Sequence, residues 1–209
     1  MNDKRRGDTL IEVLFAVTVF SLVAVGGLSI MNQGLTTSQR ALEITLVRQE
    51  IDAQAEALRF MHSSYVSAYQ SGTTYAADTP AGQWAIMLDS IKITNAISAS
   101  AFGAAGACPA PPRGSFIINT RSAKFVPEFT ALQTAQIFSK VKYTTAAGAS
   151  TVDAAEGIWV EAIRSGTSTD ANQINAGYVD FHIRACWDSP GQSVPVTIGT
   201  IVRLYEPRG

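Results

Sequence analysis

Gly7-Asp8-Thr9-Leu10-Ile11-Glu12 leads directly into Val13 to Met31, nineteen positions without an ionisable side chain. As a helix, that run spans ~28 Å, about the hydrocarbon thickness of a bilayer. Its polar members are Thr18, Ser21 and Ser29, whose hydroxyls can bond back to a helix backbone. Lys4, Arg5 and Arg6 stand just before it, and positive charge there holds an N-terminus in the cytoplasm. Glu12 sits at the apolar edge, where a carboxylate is costly unless it is paired or its side chain reaches water.

Three interpretations compete for this stretch. A secretory signal peptide has a basic start, a shorter apolar core and a small-residue cut site. Ala24-Val25-Gly26 offers such a site, but the apolar run continues through Leu28 and Ile30 to Met31. A plain signal anchor accounts for the length and the basic flank. It gives no reason for Gly7 to be followed by Thr-Leu-Ile-Glu one residue later. The six residues resemble the processing site of a type IV prepilin, which accounts for all three features. The resemblance covers about the first 60 residues well and the rest only in general plan.

The resemblance implies that a membrane peptidase cuts between Gly7 and Asp8 and methylates the new amine on Asp8. It implies that Glu12 forms an assembly salt bridge with the N-terminal amine of a neighbouring subunit, which sets axial register. An opposite charge relieves a carboxylate held among apolar helices. Gly26 and Gly27 fall where pilin helices can unwind locally; each glycine costs a helix about 1 kcal/mol relative to alanine. Close packing of small residues in a membrane is the other use of such a pair. Asp8 departs from the family, in which phenylalanine is commonest after the glycine. Its carboxylate can pair internally with the new amine and compete with a neighbour's Glu12. Together with Ala41-Leu42, Gln49-Glu50 and Ala57-Leu58-Arg59, Asp8 makes the chain most similar to minor pilins or pseudopilins.

Composition sets outer limits. The chain has 209 residues, enough for one globular domain and an appendage. Its formal charge is −1, without the basic balance of a nucleic-acid-binding protein. Without residues 1–7 the chain keeps 13 basic and 16 acidic side chains, a net of −3. Cys108 and Cys186 are the two cysteines. If the head is exported, a disulfide is favoured over free thiols. Closing that loop is worth roughly 4 kcal/mol in the chain-entropy model. Two buried, unlinked thiols are the alternative. No Cys-x-x-Cys occurs and the histidines are His62 and His182, so a metal site is not indicated.

From Thr36 the pattern changes. Ile44, Val47, Ile51, Ala55, Leu58, Met61 and Tyr65 recur every three or four residues, one face of an amphipathic helix. The expected form is a single helix of about 50 residues, although Thr37 or Ser38 is a candidate start for a separate one. Ser63 to Pro80 reads as a loop. Gln83 to Ile97 is ambiguous, with a short helix possible. Prolines exclude regular structure around Cys108 to Pro112.

Ser115 to Asn119 and Ala123 to Val126 read as a hairpin. Further strands are expected over Ile137 to Thr145, Gly157 to Arg164, Tyr178 to Trp187 and Thr197 to Tyr205. In Tyr178 to Trp187 the alternation puts Val179, Phe181, Ile183 and Ala185 inward. It puts Asp180, His182, Arg184 and Cys186 on the polar face, with His182 at the surface. His62 reads as a surface or packing residue.

No Gly-x-Ser-x-Gly elbow, phosphate-cradling glycine loop or His-Glu-x-x-His occurs, so neither an enzyme nor a cofactor is expected. Asp170 and Asn172 lie in a polar loop whose spacing is not that of an EF-hand.

The expected fold is α+β: a long N-terminal helix, transmembrane first and amphipathic second, packed on an antiparallel β-sheet head. The divisions are a basic leader (1–7), a transmembrane or filament-core helix (8–35), its amphipathic continuation (36–65) and a β-rich head (66–209). The resemblance implies a structural subunit of a type IV filament. Its partners would be other pilin subunits, prepilin peptidase/methylase and an inner-membrane assembly platform. It would cross the cytoplasmic membrane once before assembly, with the head outside, and then join an extracellular filament. The alternatives are a pseudopilin of a type II secretion or DNA-uptake machine, and a membrane-anchored extracellular binding protein.

Overall fold

A computed structural model describes residues 6–72, 74–91, 106–127, 132–146, 148–165 and 177–207. Helix α1 runs Arg6–Gln70, 65 residues, rather than about 50. Thr18 and Ser21 donate to the carbonyls of Phe15 and Val17, so these two hydroxyls of the apolar run are satisfied inside the helix. The expected loop from Ser63 is helical to Gln70. Ser63 and Ser64 both donate to the Phe60 carbonyl, and Tyr65 packs near Tyr69 and Tyr75. Side chains that favour loops in water are here tied to the helix itself. The helix ends at Gly72, whose φ of +63° is the left-handed terminus that glycine adopts without strain.

The chain divides into two compact units, Met1–Leu42 and Glu43–Gly209. The division falls inside the amphipathic segment 36–65. In the second unit, α1 from Glu43 onward packs on a five-stranded antiparallel sheet. The strands are β1 (Phe116–Asn119), β2 (Lys124–Pro127), β6 (Ile158–Ser165), β7 (Tyr178–Trp187) and β8 (Val196–Tyr205), in the order β2-β1-β6-β7-β8. Helix α2 (Pro80–Ser90) adds Trp84, Met87 and Leu88 to the core. Its start is built by Thr79, whose side chain accepts from the Gly82 N–H, with proline in the first turn.

The helix face read from the sequence is buried: Val47, Ile51, Ala55, Leu58 and Met61 join the core. So does the inward set of β7, with Val179, Phe181, Ile183 and Ala185 fully buried. Cys186 departs from the polar face expected for it. It is also fully buried, because it is bonded to Cys108. His182 is half-buried rather than at the surface, since Glu161 and Ile201 are its register partners on the two adjoining strands.

A second sheet has the order β3-β5-β4, with β3 (Leu132–Gln133) parallel to β5 (Ala149–Glu156) and β4 (Lys140–Ala146) antiparallel to it. The strand expected from Ile137 starts at Lys140, and Ile137 is exposed. Strand β5 carries the sequence ASTVDAAE, too small and polar to be read as a strand. Its pairing with β4 buries Ala154 and Ala155, and Lys142 Nζ meets the buried Glu156 carboxylate at 2.5 Å.

The Cys108–Cys186 bond closes a sequence separation of 78. It ties the proline-rich stretch to the end of β7. Replacing either cysteine with serine is expected to destabilise the head by about 2–5 kcal/mol, read from denaturant midpoints under non-reducing conditions.

Candidate assembly interface

The first unit exposes its apolar residues. Leu10, Ile11, Phe15, Phe20, Leu22, Val23 and Ile30 are each at least 65% accessible. The best apolar window of α1 has mean hydropathy 2.4 and no buried residue. A contiguous exposed apolar surface of this size marks a membrane or protein contact. One helix, near the N-terminus, is long and apolar enough to cross a membrane. It fits a single-pass membrane anchor.

Residues 1–5 of the leader lie outside the described residues. Gly7 and Asp8 lie in the first turn of α1. Glu12 is exposed one turn further on, and among the described side chains it has no ion-pair partner. It is an exposed carboxylate at the start of an apolar surface. Gly26 and Gly27 continue the helix without interruption, and a Cβ on either would meet nothing within 4 Å.

The head carries a polar set that the sequence did not reveal. Glu43 is buried, and its Oε2 accepts from Trp187 Nε1 (3.1 Å) and Ser189 Oγ (2.7 Å). Gln54 is fully buried. Its Nε2 donates to the Ile118 carbonyl and its Oε1 accepts the Ile118 N–H, both at 2.8 Å. Glu161, also fully buried, accepts from Trp159 Nε1 at 2.7 Å and lies 3.3 Å from Arg184 Nε. Hydrogen bonding to Arg203 holds the Asp180 carboxyl below its usual range. Burial, with Arg184 nearby, pushes His182 down. Burial raises Glu50. Periodicity marks which positions face inward, but not which polar residues have a partner waiting there.

His62 is a packing residue. Its ring lies against Trp84 at 5.1 Å, and Nε2 is 2.8 Å from the Tyr205 carbonyl. Among the described residues no three His, Cys, Asp or Glu side chains gather to hold a metal. Asp170 and Asn172 lie outside the described residues.

No protein-family model matches the chain, and no curated protein or solved structure matches it either. The architecture, a long N-terminal apolar helix whose later part packs on an antiparallel sheet, is compatible with a pilin-like fold.

Proposed function

We propose that this chain is a structural subunit of a type IV filament, of the minor-pilin kind. It is cut between Gly7 and Asp8 by a prepilin peptidase that also methylates the new amine, and it is assembled through α1. One observation carries this reading. The Gly-Asp-Thr-Leu-Ile-Glu sequence stands at the start of a helix whose apolar surface is wholly exposed and which continues without a break into a folded head. A cleavable anchor needs no such continuity, because its helix is discarded. A filament subunit does, because the same helix is both its membrane store and its assembly surface. The partners in this reading are other pilin subunits, the peptidase and an inner-membrane assembly platform. The protein first crosses the cytoplasmic membrane once, with its head outside, and then enters an extracellular filament. A pseudopilin of a secretion or DNA-uptake machine would use the same surface.

The experiment is intact-mass and N-terminal analysis of the protein made in its own cell. The expected product begins at Asp8 and is heavier by one methyl group. A start at Gly27 would overturn the reading by removing most of the assembly helix. An uncut Met1 would leave a membrane-anchored extracellular binding protein.

A further inference from the structure

Side chains cap several main-chain groups at the margins of the five-stranded sheet. Strand β1 pairs with β6 only at Phe116↔Val160, and beyond that point Gln54 takes both main-chain groups of Ile118. At the β2 edge Gln83 Oε1 accepts the Phe125 N–H at 2.9 Å, and the strand closes at Pro127, which has no N–H to offer. At the far end of β8, His62 covers the Tyr205 carbonyl.

Along the rest of the β8 edge, no cap comes from the described residues. Glu206 N–H donates to the Gly177 carbonyl at 2.8 Å. Antiparallel alternation then turns the main-chain groups of Ile198, Thr200, Val202 and Leu204 toward β7. Those of Thr197, Gly199, Ile201 and Arg203 point outward. All four residues are exposed, and among the described residues no hydrogen bond caps their main chains. Proteins usually blunt such an edge with proline, lysine, a bulge or a short strand. This strand is ten residues long, with neither proline nor lysine.

Gly199 sharpens the feature. A Cβ there would lie 2.6 Å from the Ile183 carbonyl oxygen, so the position has no room for a side chain. Beside it an open cavity of about 340 Å³ is lined by His182, Arg184, Thr197 and Ile201, among others. Charges bordering the edge are already balanced. Arg203 holds Asp180 through two bonds of 2.7 and 2.8 Å, and Arg184 faces Glu161. Arg48 and Asp52, which border the other side of Gly199, carry opposite charges.

We propose that the β8 edge is a strand-addition site for an extended, uncharged segment of a partner polypeptide, which sets a large apolar side chain beside Gly199 and against Ile201. Outward donors and acceptors recur every second residue, roughly 6.8 Å apart, a spacing that another extended main chain matches. The balanced charges favour an uncharged occupant. The exposed Ile201, 61% accessible, gives it apolar contact. This inference stands apart from the filament reading and does not require it.

The test pans the full-length protein, in detergent micelles, against a phage-displayed library of random nine-residue peptides. Enriched peptides are then synthesised. The expected peptides share an uncharged stretch with one large apolar residue. They slow amide exchange at Gly199, Ile201 and Arg203. Ile201→Pro removes an outward N–H, which an edge strand tolerates, and is expected to weaken binding by at least about tenfold, or 1.4 kcal/mol. Ile201→Lys, which keeps the N–H, serves if the proline variant fails to retain the Cys108–Cys186 bond. Three results would overturn the proposal: no enrichment, exchange protection confined to other amides, or equal binding by the folded variants. A concentration-dependent dimer that occludes the same amides would also overturn it, by giving the edge to a second copy.

Discussion

Glu12→Ala is expected to remove the chain from sheared filaments while leaving the amount of processed, membrane-inserted protein unchanged. The reason lies at the start of α1, where the exposed Glu12 carboxylate precedes an uncharged surface. In the proposed assembly that carboxylate meets the N-terminal amine of a neighbour among apolar helices. Removing one partner of a buried pair leaves the other charge uncompensated, at about 3–5 kcal/mol. That corresponds to a loss of roughly two to four powers of ten in the incorporation equilibrium. Glu12→Gln keeps the volume and is expected to fail as completely, because the charge is what matters. The measurement is the ratio of sheared to membrane-bound protein by quantitative immunoblot. Wild-type ratios for both variants would refute the pairing.

The largest effect expected on the head itself comes from Gln54→Ala. Gln54 sits on the helix face between Ile51 and Leu58 and is as buried as they are. Its amide serves the Ile118 N–H and carbonyl in the way a neighbouring strand would. Alanine leaves two buried main-chain groups without partners, each at about 1–3 kcal/mol, together with a cavity. A total loss of about 3–5 kcal/mol is expected from denaturant midpoints at constant m-value. Gln54→Glu separates the two bonds, since a carboxylate accepts from the N–H but cannot donate to the carbonyl. If Gln54→Ala is as stable as the parent, the side chain does not complete the sheet.

Much of this architecture was legible from spacing alone. Val179, Phe181, Ile183 and Ala185 alternate cleanly because β7 lies inside the sheet with one face on the helix. The stripe from Val47 to Met61 is equally plain. Strand β5 was invisible because its inward residues are alanines, whose burial depends on β4 and β3 lying alongside. The last turns of α1 were hidden by serines whose hydroxyls return to the helix. At the N-terminus, Gly7, Asp8 and Glu12 could be named as candidates because their motif is contiguous. The β8 edge could not, because strand order decides which strand is outermost. Nor could the caps at Gln54, Gln83 and His62, which join positions far apart in sequence.

The Glu43 contacts have a mechanical consequence. A subunit held by its N-terminal helix and pulled by its head carries tension through α1. The head's first buried side chain along that path is Glu43, fastened to Trp187 and Ser189. The residue beside Trp187 is Cys186, which is covalently bound to Cys108. Force thus enters the head at a strand that is bonded on both sides, to β6 and β8, and locked at its end by a covalent tie. The tie at Cys186 limits how far the end of β7 can be drawn from the proline-rich stretch at Cys108 while the two cysteines stay oxidised.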